Sequence, residues 1–269
     1  MIDLDKISHE VISTAKNAGT FIRNQTDKLR SIDVETKGNH DYVTYVDKTA
    51  EEQIVQSLQA LLPEAGFIVE ENTISKQGDA YNWVVDPLDG TTNFIHGIPV
   101  FSVSIALMHH KEVVLGVVYE VNLDECFSAV KGKGAFLNGM PIQVSNASAL
   151  KDSLLATGFP YHDYTRMDSF IDLFKWCMKN THGLRRIGSA AVDLAYVACG
   201  RFEGFYEYGL NAWDVAAGCL IVQEAGGQVS DFRGKDNYIF GREVVASNNN
   251  ISHEFLNQIQ KAFNPIKKH

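Results

Sequence analysis

The chain has 269 residues, 45% of them hydrophobic, which is enough for a substantial core in one large domain or two tightly joined halves. A net charge of −9 at pH 7 argues against a nucleic-acid groove or an anionic membrane surface as the main partner. The four cysteines (Cys126, Cys177, Cys199 and Cys219) form no C-x-x-C pair, which removes zinc-ribbon and thioredoxin-like readings and leaves reduced structural thiols.

In the first half, Leu4, Ile7, Val11, Ala15, Ala18 and Ile22 recur at helical spacing and predict an amphipathic helix. Asp3, Asp5 and Glu10 lie where a signal peptide avoids charge, and no apolar run is long enough to span a membrane, so a cytoplasmic protein is expected. A second helix is predicted over residues 48–62, with Asp47 as N-cap, Ile54, Leu58, Leu61 and Leu62 on one face, and Pro63 at its end. Residues 67–70 read as a strand that ends in the carboxylate of Glu70. Trp83, Val84 and Val85 read as a short buried strand that delivers Asp86 and Asp89. Pro87 fixes one φ, Gly90 permits a sharp change of direction, and Thr91, Thr92 and Asn93 begin a helix. Residues 100–108 and 112–121 predict a hairpin, 125–130 a third strand, and 131–134 and 138–139 the turns of a meander.

In the second half, strands are predicted at 153–157, 204–208, 229–232 and 243–246. Helices are predicted at 163–180, with Phe170, Leu173, Phe174 and Cys177 inward, and at 189–199, 213–225 and 252–263. There is no low-complexity linker and no solenoid repeat. Helices and strands in alternating blocks suggest a layered fold of the α/β class with mixed α+β character.

The chemistry concentrates in Asp-Pro-Leu-Asp-Gly-Thr-Thr-Asn, residues 86–93. Two carboxylates beside a helix N-terminus can hold a hard divalent cation on their oxygens and a phosphate on the amides of Gly90, Thr91 and Thr92. A plain strand–turn–helix with solvated acids is the weaker reading. Asp214 opens an apolar helix, where capping and metal ligation are both open. Glu207 reads equally well as a substrate contact or an exposed strand residue. Arg185 and Arg186 read as a basic turn or as part of a substrate mouth. Gly132-Lys-Gly134 lacks P-loop spacing, and the helical pattern after Trp213-Asp214 excludes a propeller blade.

The run W-V-V-D-P-L-D-G-T-T-N-F beginning at Trp83 resembles the signature of the inositol monophosphatase family, the Mg²⁺-dependent, Li⁺-sensitive phosphatases. Residues 211–227, 41–47 and Glu70-Glu71 resemble three further family motifs. All four stand in family order, and the resemblance covers essentially the whole chain. It implies a layered α-β-α-β-α sandwich of the sugar phosphatase type. It also implies one unit, 1–269, with a metal- and phosphate-binding half at about 1–145 and a substrate-completing half at about 146–269. The implied cofactor is Mg²⁺, two ions per subunit, with a weaker third beside Glu70. Glu70, Asp86 and the Leu88 carbonyl would hold one ion, and Asp86, Asp89 and Asp214 the other. Asp47, Thr91 and Glu70 form the implied catalytic set, Asp47 and Thr91 as a pair that orients and activates water. Implied substrate contacts are Asp89, Gly90, Thr91, Thr92, Arg185, Ala190, Glu207 and Asp214, with Lys37 adding charge at the site mouth.

The expected reaction is hydrolysis of a small polyol phosphate, above all inositol 1-phosphate, by a homodimer. Family branches that hydrolyse fructose 1,6-bisphosphate, 3′-phosphoadenosine 5′-phosphate, histidinol phosphate or NADP(H) are the alternatives. A binding protein of the RNA-processing or transcription machinery is the rival from another class. Nucleic acid itself is not expected as a partner. One departure stands out: the family usually has Gly before the Glu pair, and this chain has Val69.

Overall fold

The computed structural model describes residues 2–26, 34–38, 41–161 and 163–263. Asp3 caps helix α1 (Leu4–Arg23) by accepting from the amides of Asp5 at 3.1 Å and Lys6 at 3.2 Å. Ile7, Val11, Ala15, Ala18 and Ile22 are buried as the spacing predicts, while Leu4 is half-buried at the rim. Strands β1 (Val34–Gly38) and β2 (Asp41–Thr44) pair antiparallel in a ribbon that hydropathy does not announce, because both are largely polar. Helix α2 (Tyr45–Leu61) begins earlier than expected. Its cap is Thr44 and not Asp47, whose carboxylate instead reaches back to Thr44 in a capping box.

A seven-stranded sheet follows, in the order β3-β4-β5-β6-β7-β8-β9. It comprises β3 (Gly66–Val69), β4 (Tyr81–Asp89), β5 (Ser102–His109), β6 (Glu112–Glu120), β7 (Glu125–Val130), β8 (Ala135–Leu137) and β9 (Met140–Ile142), with the short helix α3 (Thr91–Ile95) after β4. Only the β3–β4 pair is parallel; the expected hairpin and meander form the rest. A five-stranded sheet has the order β11-β10-β12-β14-β13. Its strands are β10 (Leu154–Thr157), β11 (Gly183–Arg185), β12 (Gly204–Tyr208), β13 (Gln228–Ser230) and β14 (Glu243–Ser247). Helices α4 (Met167–Asn180), α5 (Ala190–Ala198), α6 (Ala212–Glu224) and α7 (Ser252–Phe263) complete the chain. Helix α4 starts at Met167 because the Asp163 carboxylate binds the Thr165 amide at 2.9 Å and holds the preceding residues in a turn. Strand β13 stops at Ser230 because Asp231 Oδ1 accepts from the amides of Arg233 and Lys235, each at 2.8 Å.

The period-two alternation of the strands sorts the core into layers. Trp83 and Val85 face α1 and α2, whereas Val84 between them faces α5 and α6. Phe205 faces α5 and α6, whereas Tyr206 faces α4 and α7. The result is the α-β-α-β-α sandwich. Helices α5 and α6 lie between two sheets, which explains why α6 is apolar on every side. The four cysteines are free thiols. Among the described residues, no helix is long and apolar enough to cross a membrane.

Candidate active site

The two expected aspartates of β4 converge because the strand is irregular. Residues three apart on a regular strand point to opposite faces. Here Asp86 pairs with Ser104 and Asp89 with Ser102, so β4 holds one more residue than β5 across this stretch. That bulge restores both carboxylates to one side. Pro87 occupies it, where a missing N–H costs nothing in the ladder, and the Leu88 amide turns back onto Asp86 Oδ1 at 2.9 Å. The strand therefore continues through the proline to Asp89 instead of ending at Val85. Gly90 then turns the chain into α3 at φ +96°, and an added Cβ would press on the carbonyls of Gly188 and Val100, each at 3.1 Å.

Other elements aim at the same point. Because β3 and β4 run parallel with Val69 beside Val85, Glu70 emerges next to Asp86 and shares a hydrogen bond with its carboxyl. Val69 itself is buried in the core beneath α2. Buried Glu51 of α2 anchors the chain after Glu70, accepting from the amides of Glu71 at 2.7 Å and Thr73 at 2.9 Å. Asp214 comes from the first turn of α6. Its Oδ2 accepts from the Asn211 amide at 2.6 Å, so it acts as a capping residue and also joins the cluster. One carboxylate oxygen from each of Asp86, Asp89 and Asp214 lies within 4.8 Å of the others. Asp89 Oδ2 additionally ties down the start of α5, accepting from Ser189 Oγ at 2.6 Å and the Ala191 amide at 2.7 Å.

Such crowding is electrostatically costly. Burial, reinforced by the charges of Glu70, Asp89 and Asp214, raises the Asp86 carboxyl well above the usual carboxylate range. Burial pushes Asp89 up to about 6 against its bonds from Ser189 and Ala191. It pushes Asp214 up to about 7, helped by the charge of Asp89. An all-oxygen set of strained acids is what a hard divalent cation satisfies, and the set fits Mg²⁺.

Beside the cluster, Thr91 Oγ lies 3.0 Å from both Asp47 Oδ1 and the Leu88 carbonyl. Asp47 is buried, and its Oδ2 also accepts from the amide and the hydroxyl of Thr44 at 2.8 and 2.6 Å. Burial raises its pKa, and these hydrogen bonds oppose the rise.

A cavity opens from the acids and is lined by Gly90, Thr91, Thr92, Ala190, Glu207 and Asp214, among others. Glu207 is buried, not exposed on its strand, and burial pushes it up to about 8 against the charge of Arg186. Arg185 is exposed on β11 and does not line the cavity. Its neighbour Arg186 does, held between the rings of Phe159 at 5.2 Å and Tyr161 at 5.3 Å and bonded to the Tyr161 hydroxyl. Of the two arginines, Arg186 is the one that borders the cavity. The Lys37 side chain lies outside the described residues.

Sequence reasoning missed Glu51, Ser189, Asp193 and the Phe159–Tyr161 pair; of these, only Ser189 carried a signal, as a hydroxyl at a helix start. Gly158 makes room for Glu207: a Cβ there would collide with the carboxylate at the far end of that side chain. Gly158→Ala is therefore expected to leave the melting temperature nearly unchanged while raising KM several-fold, about 1 kcal/mol of binding. Thermal melts and initial rates on one sample check both halves.

The model of the inositol monophosphatase family matches residues 3–264. The chain is 42% identical over 262 residues to the Nus factor SuhB of Pseudomonas aeruginosa, covering 96% of this chain and 97% of that one. It is 40% identical over 252 residues to an inositol-1-monophosphatase of Mesorhizobium japonicum, covering 93% and 95% respectively. The crystal structure of the extragenic suppressor protein suhB from Bartonella henselae superposes with a TM-score of 0.91 at 37% identity, over 95% of this chain and 99% of that one.

Proposed function

The chain belongs to the inositol monophosphatase family, and from that premise we propose that it hydrolyses a small polyol phosphate monoester, above all inositol 1-phosphate, to the alcohol and inorganic phosphate. The observation that carries this reading is the convergence of Asp86, Asp89 and Asp214 beside the hydrogen-bonded pair of Thr91 and Asp47. In this reading Glu70, Asp86 and the Leu88 carbonyl hold one Mg²⁺, and Asp86, Asp89 and Asp214 a second. Mg²⁺ held there would supply neutralisation of phosphoryl oxygens and a lowered pKa for water.

The remaining work falls to the chain. Backbone amides at Gly90, Thr91 and Thr92 orient the phosphate. The Thr91 hydroxyl has a single hydrogen, which it gives to Asp47, leaving its lone pairs to accept from the attacking water. Asp47 is held by Thr44 on one oxygen and fixes the Thr91 rotamer with the other. Ala190, Glu207 and Asp214 face the alcohol half, and Arg186 closes the mouth. A phosphate-release panel of inositol 1-phosphate, fructose 1,6-bisphosphate, histidinol phosphate and 3′-phosphoadenosine 5′-phosphate tests the substrate. Failure to release phosphate from any polyol monoester in Mg²⁺ would sink the reading. A cytoplasmic homodimer completes the proposal, checked by light scattering and cell fractionation.

The name Nus factor borne by the Pseudomonas relative favours a second reading, an RNA-processing or transcription-associated binding role. Asp89→Asn separates the two. It should abolish phosphate release, and a binding role independent of hydrolysis would survive it.

A further inference from the structure

We propose that Asp193 is a specificity-determining residue that reads a hydroxyl on the alcohol half of the substrate. The proposal rests on the polyol phosphatase reading above. Asp193 sits in the first turn of α5, is 1% exposed, and borders the cavity. Acidic residues in a first turn usually serve the helix end, yet that work is already taken here. Ser189 Oγ receives the Val192 amide at 3.3 Å, and Asp89 receives the Ala191 amide at 2.7 Å. Asp193 Oδ1 has no hydrogen-bond partner among the described residues.

A buried carboxyl without a partner is costly, so one that borders a cavity is matched by what enters the cavity. Its neighbours fix the chemistry of that match. Glu207 and Asp89 bear on it from the same cavity, and Arg186 is the cation that offsets them. A second phosphate or carboxylate would meet acids, whereas a hydroxyl pairs with them. Burial together with Glu207 and Asp89 raises the Asp193 carboxyl well above the usual range. The class selected is a neutral polyol monoester. An ester whose leaving group has no hydroxyl leaves Asp193 unpaired and gains nothing from it.

The test compares inositol 1-phosphate with phenyl phosphate on the Mg²⁺-loaded protein. The ratio of their kcat/KM values should fall about tenfold or more in Asp193→Ala, through KM for the polyol ester. Asp193→Asn keeps a donor and an acceptor in the same shape and should hold the ratio within about threefold of the parent. An unchanged ratio in Asp193→Ala would overturn the proposal. Equal losses on both esters with a lowered melting temperature would overturn it too, by revealing a purely structural role. If the unsubstituted protein hydrolyses neither ester, it is the polyol phosphatase reading that fails.

Discussion

Asp86→Asn is expected to lower kcat by about 100-fold or more at saturating Mg²⁺. The residue lies at the centre of the acidic cluster, hydrogen-bonded to Glu70 on one side and near Asp89 and Asp214 on the other. In the proposed ligand set it would serve both ions, so one lost charge would weaken two sites together. The same substitution has the opposite effect on the metal-free fold. Asp86 is raised far above its ordinary pKa, so the folded state holds its proton more tightly than the unfolded chain does. That contribution is fully present below about pH 4 and is lost as pH rises through the folded-state value. Without metal, the parent protein should therefore lose melting temperature between acid and pH 8. The asparagine variant, with one titrating acid fewer, should lose less and exceed the parent at pH 8. Added Mg²⁺ should reverse the order, because it binds the deprotonated set. Phosphate release and thermal melts at pH 5 and 8, each with EDTA or Mg²⁺, read all of this. Near-normal turnover in Asp86→Asn would remove the two-ion assignment.

Thr91→Ala and Asp47→Asn should each reduce kcat by about 10²–10⁴-fold, with a smaller change in Mg²⁺ affinity. Both act through one set of hydrogen bonds, donated by Thr44 to Asp47 Oδ2 and by Thr91 Oγ to Asp47 Oδ1. Removing either end misorients the same water. The double variant should thus be hardly slower than the worse single one, a non-additivity that a double-mutant cycle measures directly. Losses that multiply would mean two separate tasks. Asp47→Asn also bears on the start of α2, but an amide oxygen can still accept from Thr44, so the melting temperature should fall little. Phosphate retained on the protein in a rapid-quench burst would point to Thr91 as a covalent nucleophile instead.

Much of this architecture was legible in the sequence because it follows local rules. The apolar stripe of α1, the β5–β6–β7 meander and the small-residue helix α5 were all set by periodicity and turn residues. The acids of β4 were legible as a pair, but the device that unites them was not. A bulge is a mismatch of register between two strands, and neither strand's own residues carry that register. The β1–β2 ribbon escaped because the sequence of its polar strands carries no run of apolar residues, and β11 because three residues carry no period. The cap of α2 was misassigned since Thr44 and Asp47 are both good caps, and the choice depends on which backbone amide is free. Arg185 and Arg186 were indistinguishable as a dipeptide. They parted only when the strand sent one side chain outward and the other between Phe159 and Tyr161. Asp193 was passed over because one acid in an apolar helix has no pattern to belong to.

The bond from the Asn211 amide to Asp214 makes that amide a built-in spectroscopic tag. Whatever draws electron density from the Asp214 carboxylate weakens it as an acceptor, and the N–H three residues upstream registers the change in its chemical shift and its solvent-exchange rate. Helix α6 lies between two sheets, and Asn211 is the residue that caps its N-terminus. A single nitrogen-15 resonance can thus titrate occupancy of the acidic cluster in the absence of any substrate.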